Sequence, residues 1–175
     1  MKKLVFASLL IFCTGAYAFP RTVENLLVPG YASNSLDDLD GRLKKKIEKL
    51  IKNMESKGYD VEVSDTHRSK ERQVFIYEAS KLKSKILKND AVVTTTTNSR
   101  HNRTVNGEPA ACAVDLRPAG NNTIEKQAEF YKVLLAESKK LGLSSGANFK
   151  KKKSSPFYEY GLGYDPGHIY MRSCK

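Results

Sequence analysis

The sequence predicts an α+β fold with a small, largely antiparallel sheet and about three helices. Three observations lead there: apolar residues at helical spacing over three separate stretches, short β-rich runs between them, and no internal repeat that would indicate a solenoid. At 175 residues and 40% hydrophobic, the chain can bury one ordinary core and is too short for two. One domain is expected, over residues 19–175, behind a leader.

The leader comes first. Met1-Lys2-Lys3, the apolar run Leu4 to Cys13, and Ala16-Tyr17-Ala18 before Phe19 have the basic start, short apolar centre and small cleavage residues of a secretory signal peptide, residues 1–18. A transmembrane helix needs about 20 apolar residues, and Thr14, Gly15 and Pro20-Arg21 interrupt the run too early. Lipidation at Cys13 is disfavoured by the bulky Phe12 before it. Residues 19–34, with Pro20, Pro29 and Gly30, read as an irregular lead-in.

Leu36, Leu39, Leu43, Ile47, Leu50, Ile51 and Met54 recur at steps of three and four, so one amphipathic helix is expected, capped by Ser35 and ended by Gly58. Tyr59 to Asp65 alternates like a half-buried strand. A second helix is expected from Ser69 to about Leu87, with Val74, Tyr77, Leu82 and Ile86 inward. Ala91 to Thr97, rich in β-branched residues, reads as extended, and Asn98 to Pro109 is a polar segment containing Asn106-Gly107. Ala110 to Leu116 is a candidate buried strand. A third helix starts near Asn122 or Thr123, carries Ile124, Ala128, Tyr131, Leu135 and Leu141, and stops at Gly142. A glycine-rich tail with the run Lys150 to Lys153 leads to a last strand, His168 to Met171.

Thirty Lys+Arg against 19 Asp+Glu give a net charge of +11. Loss of residues 1–18 removes two lysines and leaves 157 residues at +9. Such a balance suits an anionic partner, whether nucleic acid, anionic lipid or an acidic cell-wall polymer, and does not choose among them. Two cysteines, Cys112 and Cys174, remain in a compartment that permits oxidation, and one disulfide is the simplest expectation, with two free thiols as the alternative. Antiparallel pairing of the strands around them would set Cys112 opposite Cys174 if Asp115 lay opposite Met171.

The chemistry concentrates around three histidines, His67, His101 and His168. Ala113-Val114-Asp115-Leu116 puts a lone carboxylate in an apolar strand, which costs several kcal/mol unless it is paired or bound to a cation. Asp165-Pro166-Gly167-His168 places another carboxylate three residues before an imidazole. Two histidines and one Asp make a set that holds Zn²⁺ and leaves a position for water, and a second carboxylate nearby then serves as general base. Taken singly, His101 also fits a loop residue, His168 a hydrogen-bonded core histidine and Asp165 a turn cap. His67 reads as a packing or site-rim residue.

Four ordered segments, Val63-Ser64-Asp65-Thr66-His67-Arg68-Ser69 to Gln73, Ser99-Arg100-His101-Asn102, Ala113-Val114-Asp115-Leu116 and Asp165 to His168, resemble the motifs of the zinc D,D-carboxypeptidase and L-alanyl-D-glutamate endopeptidase family. That family includes the VanY-like peptidoglycan peptidases and shares its zinc scaffold with the hedgehog signalling domain. The resemblance implies a hedgehog/D,D-peptidase-like fold, with Zn²⁺ held by His101, Asp115 and His168. It implies Asp165 as general base, Arg68 as the residue holding the polarised carbonyl, and Gln73 as a supporting, substrate-binding position. Asp rather than Glu at position 165 is closer to the endopeptidase branch. The chain departs from the family in three places. The step from His101 to Asp115 is fourteen positions, implying an inserted loop around Arg103 to Ala110. Ala111-Cys112 replaces a usual Gly, and Leu143-Ser144-Ser145-Gly146 stands where a Trp-Gly-Gly stretch is customary.

The resemblance makes the chain an exported, monomeric bacterial peptidase, periplasmic or extracellular, acting on peptidoglycan stem peptides, with the basic surface as a contact for an anionic wall polymer and no nucleic-acid partner. Two other classes stay open: a wall-binding module that retains the metal without turnover, and a secreted metal-dependent nuclease, for which a carboxylate-rich Mg²⁺ site would be needed. Asn102-Arg103-Thr104 also matches a glycosylation sequon.

Overall fold

The computed structural model describes residues 30–87, 94 and 96–174. The expected signal peptide, and most of the extended stretch 91–97, lie outside the described residues.

Residues 36–54 do not form one helix. Ser35 Oγ accepts from Asp37 N at 3.2 Å and caps a single 3-10 turn, Leu36–Asp38. The chain then extends, and helix α1, Gly41–Glu55, begins where the Asp40 carboxylate accepts from Arg42 N at 3.0 Å. The break follows from a competing partner: Ala111 N donates to Asp38 O and Ala111 O accepts from Asp40 N, which holds Leu39 in a bridge to Ala111. Helical spacing survives on either side, so the periodicity is visible while the interruption is not. Within α1, Leu43, Ile47, Leu50 and Met54 are fully buried on one stripe, each contributing about 1.5–3 kcal/mol of transfer free energy.

Strand β1, Val61–Asp65, is followed by helix α2, Lys70–Leu87, and a hairpin of β2, Thr104–Val105, and β3, Glu108–Pro109. The expected insertion is this hairpin. Asn106 and Gly107, at φ 53° and 86°, supply the two left-handed residues of a tight two-residue turn. Strand β4, Ala113–Pro118, helix α3, Ile124–Lys140, and the short strands β5, Ser144–Ser145, and β6, His168–Tyr170, complete the order. Thr123 caps α3, as expected. The four-stranded sheet runs β1-β4-β6-β5 with antiparallel neighbours, so the α+β expectation holds.

The inner face expected for α2 is corrected. Val74 and Leu82 are 39% and 60% exposed, while Arg72, Gln73 and Ser80 are buried. This helix lays a polar face on the segments around the site, and apolar spacing does not report such a contact. Ile86 lies among residues whose side chains are not described.

Register is the second correction. β4 and β6 pair as Ala113 with Tyr170, Val114 with Ile169 and Asp115 with His168, so Asp115 faces His168 and not Met171. Cys112 and Cys174 are nonetheless joined, with Cα atoms 6.0 Å apart. The ladder ends at Met171 N donating to Cys112 O, and the four-residue tail after Tyr170 carries Cys174 to its partner. Strand alternation does the rest: Val114, Leu116 and Ile169 enter the core, and Asp115, His168 and Tyr170 fall on the other face.

Candidate metal centre

Cross-strand pairing puts Asp115 and His168 side by side, and a turn brings the third group. Ser99 and Asn102 form a capping box around the 3-10 turn Arg100–Asn102, with Asn102 Oδ1 accepting from Ser99 N at 2.8 Å. Asn102 Nδ2 donates to Arg68 O and Ser69 O, and Arg68 N donates to His101 O at 3.0 Å. The turn is thereby tied to the segment after β1, and the amide of the Asn102 sequon is engaged in the interior. His101, 2% exposed, points its Nδ1 at Thr66 O, 2.6 Å away. A carbonyl only accepts, so Nδ1 carries the proton and Nε2 presents a lone pair.

That lone pair meets the other two groups. His101 Nε2 is 3.3 Å from His168 Nδ1 and 3.5 Å from Asp115 Oδ1, and His168 Nδ1 is 2.9 Å from Asp115 Oδ1. These three residues form a group able to hold a metal ion, with one ligand atom from each within 4.8 Å of the others. Tetrahedral zinc with bonds of about 2.0–2.1 Å sets its ligand atoms about 3.3–3.4 Å apart. Two of the three edges lie near that spacing, the His168–Asp115 edge of 2.9 Å is shorter and is a hydrogen bond, and two imidazoles with one carboxylate suit zinc chemically. Burial opposes ionisation of Asp115, but the neighbouring His101 and His168 hold its carboxyl well below the usual range. Desolvation depresses His101, yet the Asp115 charge outweighs it and the net direction is upward.

The same groups line a cavity of about 530 Å³, together with Arg68, Arg100, Asp165, Phe149, Tyr164 and the polar stretch around Asn98-Ser99. Burial, and then the charge of Asp115, push the Asp165 carboxyl up to about 6. Its loop is seated on Gly146: a Cβ there would come within 2.0 Å of Asp165 O and 3.1 Å of His168 Cβ. Phe149, His168 and Tyr170 stack as a tilted aromatic wall, with ring centroids 5.4–6.0 Å apart.

Arg68 donates through Nε to Asp65 Oδ2 at 3.1 Å, with Nη2 on the same oxygen, and through Nη1 to Gln73 Oε1 at 2.8 Å. Gln73 is wholly enclosed and donates to Thr94 Oγ1 and Thr96 O. It is not among the cavity residues, and its contacts with Arg68, Thr94 and Thr96 fit the supporting position expected of it rather than a direct substrate contact. His67 is buried beside Tyr31, with ring centroids 6.0 Å apart, and is not among the cavity residues.

No family model matches the sequence, and no curated protein matches it. Solved structures do. VanYB in complex with D-alanine-D-alanine superposes with a TM-score of 0.56 at 16% identity, over 84% of this chain and 80% of that one. The fold is that of the VanY-type peptidases. A Zn(II) complex of a variant of the vancomycin-resistance D,D-pentapeptidase VanY matches with a TM-score of 0.55 at 17% identity, over 85% of this chain and 82% of that one. The LdcB LD-carboxypeptidase matches with a TM-score of 0.51 at 18% identity, over 75% of this chain but 58% of that one. Residues that motif reading passed over complete the site on this VanY-type scaffold: Thr66, Asn102, Gly146 and the aromatic wall. Thr66, Asn102 and Gly146 all stood inside quoted segments, but nothing in the sequence marks a backbone carbonyl such as that of Thr66 as a contact of the site.

Proposed function

We propose that this protein is an exported zinc metallopeptidase that hydrolyses an amide bond in peptidoglycan stem peptides, as an endopeptidase in preference to a D,D-carboxypeptidase. The observation that carries the reading is the lining of one cavity by the His101, Asp115 and His168 triangle together with Asp165 and Arg68. The D-alanine-D-alanine bound to VanYB and the Zn(II) bound to VanY support the substrate class and the metal. Residues 1–18 act as the export signal, and among the described residues no helix is long and apolar enough to cross a membrane. The Lys150–Lys153 run offers a contact for an acidic wall polymer.

Zn²⁺ bound by His101, Asp115 and His168 supplies a water of pKa near about 7 and a Lewis acid for the scissile carbonyl. Asp165 lies outside the ligand set but in the same cavity, takes the proton of the attacking water and delivers it to the leaving amine. Arg68, fixed by Asp65 and Gln73, stabilises the oxyanion of the tetrahedral intermediate, a contact of the kind that accounts for about 10²–10³ in rate. Thr66 O keeps His101 in the tautomer that offers Nε2.

Metal analysis and digestion of purified peptidoglycan, with DNA in parallel, test the reading. About one zinc per chain and mass-shifted muropeptides are expected, and the cleaved bond follows from their masses. Protein that takes up no zinc after repletion, or that degrades DNA and leaves peptidoglycan intact, overturns it.

A further inference from the structure

Two guanidinium groups line the cavity, and their electrostatic situations differ. Arg68 is committed to Asp65 and Gln73. Arg100 forms no ion pair with a carboxylate among the described residues. Its Nη1 donates to Met171 O at 3.3 Å, and its Cζ lies 4.9 Å from the centre of the Tyr170 ring. Arg100 directly precedes the ligand His101, and Tyr170 stands two residues beyond the ligand His168 on the same face of β6. The guanidinium is therefore held between two ligand-bearing elements, its face against an aromatic ring and one nitrogen on the main chain.

A cation placed this way has donors left for what enters the cavity. A planar guanidinium matches a carboxylate bidentately, and stacking on Tyr170 limits the rotamers it must give up on binding. The other charges of the cavity do not compete: Asp115 belongs to the ligand triangle, and Asp165 is placed to work on water. We propose that Arg100 is a specificity-determining residue that binds a free carboxylate on a substrate residue flanking the scissile amide. The proposal rests on the peptidase reading and narrows its substrate class to peptides that carry such a group. Two sources share this chemistry: the C-terminal carboxylate of a peptide ending in D-alanine, and the free α-carboxylate of a γ-linked glutamyl residue.

The test uses zinc-loaded protein and two pairs of synthetic stem peptides. One pair ends in D-alanine-D-alanine as the acid or the amide. The other carries a γ-linked D-glutamyl residue with its α-carboxylate free or amidated. Calorimetric affinity and hydrolysis are measured for wild type, Arg100→Gln and Arg100→Lys, with zinc content as the check that the site is intact. Wild type should prefer the acid in one pair by about 10–100-fold, the range for a charge-assisted contact, and that pair identifies the source. Arg100→Gln should lose the preference through KM while treating the amide peptide as wild type does, and Arg100→Lys should recover part of it. Wild type without preference in either pair, or a preference that survives Arg100→Gln, overturns the proposal, as do equal losses on acid and amide. Arg100-dependent binding without any hydrolysis would instead remove the peptidase reading and leave the carboxylate site standing. Hydrolysis indifferent to Arg100 would do the reverse.

Discussion

The proposed base Asp165 and the three proposed ligand residues are assigned different work, and single substitutions should separate them. His101→Ala, Asp115→Ala and His168→Ala each remove one corner of the triangle and should leave the protein without stoichiometric zinc by metal analysis. Asp165→Asn leaves the triangle intact, so it should retain about one zinc and lose about 10²–10⁴-fold in muropeptide release. Near wild-type turnover in that variant would show that the base has been misassigned. Glu137 makes a prediction about pH. This carboxylate on α3, 4% exposed, accepts from Lys140 at 2.7 Å and from Asn53 of α1 at 3.3 Å, with Lys57 at 3.7 Å. Lys140 chiefly holds its carboxyl below the usual range, against the opposing effect of burial. A depressed folded-state pKa contributes stability above the unfolded value of about 4.3, and the contribution disappears as pH falls through the folded value. Glu137→Gln should therefore lower the melting temperature at pH 7, with the two curves converging below about pH 4. A constant difference down to pH 2 would mean that the carboxylate charge is irrelevant.

At the level of elements, the β5–β6 end of the sheet positions the chemistry. Gly146, just after β5, is pressed against the carbonyl of Asp165 and the Cβ of His168. Gly146→Ala should displace that loop, costing about 1–3 kcal/mol in stability as an overpacking substitution and lowering hydrolysis more than zinc content. Gly41→Ala is the control. It opens α1, a Cβ there meets nothing within 4 Å, and the substitution should be neutral or stabilising by up to about 1 kcal/mol. Chemical denaturation of both variants, read beside their zinc content, decides the point.

For the molecule as a whole, one bond should couple the proposed metal centre to global stability. The Cys112–Cys174 bridge spans 62 residues, and the chain-entropy account assigns such a loop about 4 kcal/mol. It ties the end of the chain to the residue before β4, so it also holds β6, with His168, against Asp115. Reduction should lower the melting temperature and weaken zinc affinity together. An unchanged affinity after verified reduction would uncouple the two. If zinc binds the assembled triangle as proposed, its removal by chelation should lower the melting temperature in a concentration-dependent way.

Much of this was readable without coordinates. The helical stripe of α1, the start of α3 near Thr123, the strand around Asp115 and the polar segment with Asn106-Gly107 depend on local propensity and periodicity, which the chain carries in itself, whereas Ser35 caps only the 3-10 turn and not the helix expected of it. That Asp115 needs a partner was readable too, because a carboxylate in an apolar strand demands one, and His101 and His168 stand beside it. What only the tertiary structure decided were the quantities set by distant segments: the break at Leu39, made by Ala111; the polar inner face of α2, met at Gln73 by Thr94 and Thr96; and the register that sets Asp115 beside His168. Enclosure of Gln73 and the placing of Arg100 on Tyr170 belong with these. Hydrogen bonds and packing across 20 to 70 residues of chain leave no period in the sequence, and they alone turned four separated motifs into one cavity.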